Sequence, residues 1–214
     1  MKIKRLIMLV VFVIIGSIGS ALTLKAAIGV GAWDALAQTG NEITGIQVGT
    51  IGMFFNFSCI IVQILVLKKD FKKIQLLQII VCLILGNIVN FVLYDLLGSI
   101  HIYEYWMNVA ILISGYIICA FGVGAVMVLD IVTFALEGAC MAVSKKTNKP
   151  FHVLRQSVDI VSIMIALVVG LLCNVPLAIR EGTIIGMFLF GPLMGIFMKW
   201  QKPLFKKFDL IDYD

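Results

Sequence analysis

The chain has 214 residues, 61% of them hydrophobic and only 14% charged, and its mean hydropathy is +1.08. A soluble domain is nearer half apolar and a quarter charged, so composition excludes that class and indicates a multi-pass membrane protein. The formal net charge of +5 does not argue for a nucleic-acid partner, because the basic residues fall in short runs between apolar spans.

Apolar runs fall at about 6–28, 46–67, 74–98, 105–129, 152–174 and 182–200. Each matches the ~20 residues that a helix needs to cross a ~30 Å hydrocarbon core. The first run follows MKIKR and so has the outline of a leader peptide. It continues to about Ile28, long enough to span, and reads as the first transmembrane helix. The expectation is an all-α membrane protein in one integral domain, with six transmembrane helices and a short tail, 201–214.

Lys2, Lys4 and Arg5 precede the first span, and Lys68, Lys69, Lys72 and Lys73 lie between the second and third. Lys145, Lys146 and Lys149 separate the fourth from the fifth, and Lys199, Lys202, Lys206 and Lys207 follow the sixth. The opposite loops hold only Lys25 and Arg180 among the basic residues. By the positive-inside rule both termini should be cytoplasmic. Tyr103, Tyr105 and Trp106 then suit an outer interface belt and Trp200 an inner one. The tail after Pro203 reads as interfacial or disordered.

Two stretches interrupt this pattern. Gly29 to Gly45, GVGAWDALAQTGNEITG, lies between the first two spans and carries a short amphipathic run that should stop at Gly40. Thr133 to Asn148, TFALEGACMAVSKKTN, lies between the fourth and fifth. GAWDALA (31–37) aligns with FALEGAC (134–140), which sets Asp34 against Glu137, and TGIQVGT (44–50) aligns with KPFHVLR (149–155) after a gap of two. Each half, about 6–98 and about 105–200, has three crossings, so the second must start from the other side of the membrane. The expected architecture is two inverted three-helix repeats, each with a short interrupted or re-entrant helical segment. Such breaks mark substrate sites in secondary transporters.

Several motifs are similar to those of the YczE/YitT-like family of small multi-pass bacterial membrane proteins. Ile28-Gly29-Val30-Gly31-Ala32-Trp33-Asp34 stands where that family has L-G-x-S-P-W-D, and Gly45-Ile46-Gln47-Val48-Gly49-Thr50 stands for G-x-x-x-G-T. Ser144-Lys145-Lys146-Thr147 is followed by Arg155 and Asp159, and Gly182-Thr183 by Gly191-Pro192-Leu193. The chain departs from the pattern at Gly31-Ala32, where Ser-Pro is commoner, and at Asp159, where Glu is expected. It lacks the soluble C-terminal domain of the YitT branch, so the YczE-like branch is nearer. The resemblance implies a protein of the bacterial cytoplasmic membrane and leaves its activity open.

Candidate substrate- or ion-binding residues are Trp33, Asp34, Glu137, Arg155, Asp159 and Asn56. Asp34, in the first turn of a helix begun at Ala32, has two readings. It caps free backbone N–H groups, or it binds a cation, a proton or a substrate amine with Trp33 stacked beside it. The same helix start could instead receive an anion. Arg155 and Asp159 are one turn apart, which pairs opposite charges at the membrane edge, and Glu137 with Asp159 makes an inner polar site. Asp130 reads as a helix-end residue. Asn56, Asn87 and Asn90 serve as interhelical hydrogen-bond glue or as pore lining. Gly16, Gly19 and Ser20, like Gly115, Gly122 and Gly124, permit close helix approach.

The five cysteines are scattered and read as small buried residues. The two histidines, His101 and His152, have no metal-site company, so no metal, no cofactor and no enzymatic centre are expected. The leading function is a small secondary transporter or permease. The alternatives are a substrate-capture subunit that docks an ATPase module through Gly16-x-x-x-Ser20, as in energy-coupling vitamin uptake, and a non-transporting scaffold or regulator. The expected partners are the lipid bilayer, a small molecule or ion, and either a second copy or an ATPase module.

Overall fold

A computed structural model describes residues 3–208 and 210–211. Lys2 and, within the tail, Asp209 and residues 212–214 therefore lie outside the described residues. Among the described residues the α-helices are α1 (Ile3–Lys25), α2 (Ala32–Thr44), α3 (Val48–Leu67), α4 (Leu77–Asn90, within a helical span Lys73–Leu96), α5 (Tyr105–Leu129), α6 (Ala135–Thr147), α7 (Phe151–Leu172) and α8 (Glu181–Lys207). A π-helical end, Phe91–Leu96, extends α4. All but α2 and α6 are long and apolar enough to cross a membrane. The protein is thus an all-helical, multi-pass membrane protein.

The sequence halves repeat in backbone detail. Both short helices have 13 residues, with Asp34 and Glu137 at the same place in their first turns. Gly31 and Phe134 start them in the same extended conformation. Gly45 (φ 71°) and Asn148 (φ 56°) end them in the left-handed region, a helix stop suited to Gly or Asn. Gln47 and Pro150 then start α3 and α7 alike. Ala27 (φ 53°) and Asp130 (φ 46°) close α1 and α5 with the same turn. In every pair the second residue follows the first by the same interval. TGIQVGT therefore lies over 147–153, and the gap of two placed there by the sequence comparison does not exist. Apolar side chains tolerate either register, whereas the backbone turns do not.

The centre of the molecule is the antiparallel pair α1 and α5. Gly16 faces Gly122, Gly19 faces Cys119, and Gly115 lies against Gly19 and Thr23. Rising residue numbers on α1 meet falling ones on α5, as an inverted repeat requires. Small residues bring the two backbones together because a lipid environment rewards close packing rather than burial of apolar surface. Outside this pair, α4 packs on α1 and α8 on α5, α6 lies on α3 and α2 on α7.

Two helices outrun their expected ends. The run of α2 passes Gly40 and continues to Thr44. Helix α8 passes Pro203 to Lys207, and the chain then turns so that Phe205 and Leu210 enter a cluster with Leu9 and Phe12 of α1. The Lys4 ammonium also donates to the carbonyl of Phe208 at 2.9 Å. The described residues after Pro203 are thus docked on the first helix through Phe205, Phe208 and Leu210, contrary to the reading of this stretch as disordered. Phe205 and Leu210 supply the apolar anchor that short-range composition did not reveal.

Candidate functional site

The first turns of α2 and α6 both point into the interior. Gly31 precedes α2 without any side-chain cap. Asp34 does not cap either; its Oδ2 accepts from the Ser20 hydroxyl on α1 at 3.4 Å. The capping reading is therefore replaced by a contact between α2 and the central pair.

On the other repeat, Arg155 of α7 collects two carboxylates. Its Nε donates to Glu137 Oε1 at 3.3 Å, and its Nη1 binds Asp159 Oδ1 one turn along the helix. The positive charge of Arg155 also opposes, as the smallest of three influences, the effect of burial on Asp34. Asp34, Glu137, Arg155 and Asp159 thus form one neighbourhood drawn from α2, α6 and α7. Trp33 lies in the same wall, edge-on to Phe55 with ring centres 5.8 Å apart, in a cluster with Leu136, Cys140 and Val158. Its indole N–H is buried with no partner. Five of the six candidates therefore converge. Asn56, half-buried beside Phe55, makes no side-chain hydrogen bond or ion pair among the described residues.

The other polar residues divide by role. Asn90 is the interhelical anchor foreseen for the span amides: it accepts from Gly49 N–H at 2.8 Å and donates to Thr50 at 2.9 Å. Asn87 only bonds back to Leu83 on its own helix. Asp130 ends α5 in a left-handed turn, as a helix-end residue.

A buried network that composition did not single out fixes α6. Gln63 donates to Gln78 at 2.8 Å and to the Ala135 carbonyl at 3.0 Å, and Gln78 reaches Thr133 at 3.3 Å. Gly138 packs directly on Gln63. Two glutamines inside apolar spans were the available signal, since amides in lipid need partners. Ser20 was legible only as a small packing residue. Its partner, Asp34, is distant in space until α1 and α2 fold together.

A cleft of about 240 Å³ opens at the end of the bundle away from the termini, lined by Lys25, Gln38, Asn41 and Tyr94. Gln38 lies one turn beyond Asp34 and its Oε1 is buried without a partner. The cleft thus lies about one helical turn, ~6 Å, from Asp34 along α2.

Burial pushes the Asp34 carboxyl up from 3.8 to about 6, against the opposing pull of Ser20 and Arg155. The native state then holds a proton that the unfolded chain has released. Stability is expected to fall as pH rises from about 4 to about 6, because folding must bury a group that is ionised in the unfolded chain. Thermal unfolding of the detergent-solubilised protein across that window should show the fall. Asp34→Asn should flatten it and leave the variant the more stable form above pH 6.

The profile of a family of unknown function, DUF6198, matches residues 3–199. The chain belongs to that family. No curated protein and no solved structure matches it. For this DUF6198 chain, function is argued from the site.

Proposed function

We infer that the protein is a small secondary transporter, with both termini in the cytoplasm of a bacterial cell and with kinship to YczE-like proteins. One observation carries the reading. Asp34 and Glu137, at matching places in inverted repeats, lie in the first turns of two short helices that begin inside the bundle and end at its exposed surface, and Arg155 pairs with Glu137. Broken helices at a repeat interface are the usual setting of a transporter's binding site, and rocking of one repeat against the other exposes that site alternately. Interior carboxylates that share one guanidinium suit binding and release of a proton or cation. The basic runs at 4–5, 68–73, 145–149 and 199–207 support the orientation.

The docking alternative loses its motif. Gly16 and Gly19 of α1 pack on α5 inside the bundle, so Gly16-x-x-x-Ser20 presents no free face to an ATPase module.

The test is flux in liposomes containing the purified protein, under an imposed proton or sodium gradient, across amines, inorganic cations and organic anions. Saturable gradient-driven uptake is expected for at least one solute, reduced tenfold or more by Asp34→Asn. No flux of any solute under either gradient would overturn the transporter reading.

A further inference from the structure

The two repeats differ at one joint. In the first, α3 and α4 are sealed near the start of α3. Gly49 and Gly86 pack backbone to backbone, Asn90 bonds Gly49 and Thr50, and the Tyr94 hydroxyl accepts from Val48 N–H at 3.2 Å. In the second, the matching turn of α7 carries Phe151, His152 and Val153 in place of Val48, Gly49 and Thr50. Helix α8 offers no amide side chain anywhere between Gly182 and Trp200. The close approach is blocked by bulk and the polar anchor is missing, and α7 and α8 do not pack along their lengths. Val48 is 5% exposed whereas Phe151 is 38% exposed. The asymmetry is written in side chains, Gly49 against His152 and Asn90 against Leu193.

The unsealed joint is beside the charged cluster. Arg155, Glu137 and Asp159 keep 27%, 24% and 32% of their side-chain surface exposed. Asp159 lies eight residues into α7, ~12 Å along its axis. Charges at that depth face a wet cavity or a bound partner rather than lipid tails. The cluster holds three carboxylates, Asp34, Glu137 and Asp159, against the single guanidinium of Arg155, so with all groups ionised it carries an excess of negative charge. Trp33 adds an aromatic wall, which suits an organic cation, and its buried, unpartnered indole N–H suits an acceptor atom on the same ligand.

Resting on the reading of this cluster as the binding site, we propose that the unpacked joint between α7 and α8 admits an amphipathic organic cation from the half of the membrane nearest the termini. Its apolar part occupies the unsealed joint, and its charged group reaches Glu137 and Asp159. Exchange against a proton at Asp34 keeps the charge of the site balanced.

The experiment is photolabelling of the full chain in nanodiscs with an alkylammonium carrying a diazirine on its apolar chain, followed by peptide mapping. Tetraphenylphosphonium and tetraphenylborate, alike in shape and opposite in charge, serve as competitors. Label is expected on α7 and α8, displaced by the phosphonium and not by the borate. It should fall at least tenfold in Glu137→Gln and be retained in Glu137→Asp. If Glu137→Gln does not fold, Asp159→Asn replaces it with the same expectation. Label that is indifferent to both neutral variants, is displaced by the borate, or lies away from α7 and α8 overturns the proposal. Specific labelling without flux in liposomes would count against transport alone and leave the cation site standing.

Discussion

Arg155→Met is expected to destabilise the protein by about 1–3 kcal/mol, less than the ~3–5 kcal/mol of a fully buried ion pair, because the cluster keeps about a quarter to a third of its side-chain surface exposed. The loss is larger than for an ordinary surface bridge because the guanidinium serves Glu137 and Asp159 together, and both are half-buried. Without it, two carboxylates share a partly solvated site with no counter-charge. Adding Glu137→Gln and Asp159→Asn to Arg155→Met should recover most of the loss, since a neutral cluster leaves no orphan charge. Thermal or denaturant unfolding in detergent of the single and triple variants decides the matter. A single variant as stable as the parent would mean that the cluster holds no structural role. Arg155→Lys should fall between, because an ammonium keeps the charge but loses the fork that reaches two carboxylates at once.

The second large effect is expected at the α1–α5 seam. A Cβ on Gly122 would collide with the Gly16 backbone, and one on Gly19 with Cys119. Backbone atoms cannot yield as a flexible side-chain end does, so the central pair must separate. Gly122→Leu should cost more than the ~1–3 kcal/mol typical of overpacking, and size-exclusion chromatography should show aggregated or absent protein. Gly122→Ala should lower the unfolding temperature with the protein still monodisperse. Gly52, whose Cβ would meet nothing within 4 Å, supplies the control: Gly52→Ala should leave folding unchanged. Equal behaviour of Gly52→Ala and Gly122→Ala would show that the seam tolerates a wider spacing than the structure has.

These two predictions rest on different levels of information. Six spans, their approximate limits and the two breaks are written in the order of apolar and polar residues, because a bilayer imposes length and hydropathy on every crossing helix. The inverted arrangement follows from an odd number of crossings in each half, and Asp34 could be set against Glu137 from GAWDALA and FALEGAC alone. The pairing of Arg155 with Asp159 is equally local, since one helical turn separates them.

Other features depend on long-range packing. Ser20, not the helix's own backbone, proved to be the partner of Asp34, and no local pattern encodes that choice. The Gln63–Gln78–Thr133 network joins three elements far apart in sequence. The docking of Phe205 and Leu210 on α1 depends on where the two chain ends meet. The sealed α3–α4 joint and the open α7–α8 joint become visible only when Gly49 and Gly86 are seen back to back. From sequence alone, then, come the class, the crossings, the repeat and five of the residues that converge. Tertiary structure decided which of those residues touch, which glycines are seams, and which side of the bundle is left open, because each depends on the distance between helices and not on order along one.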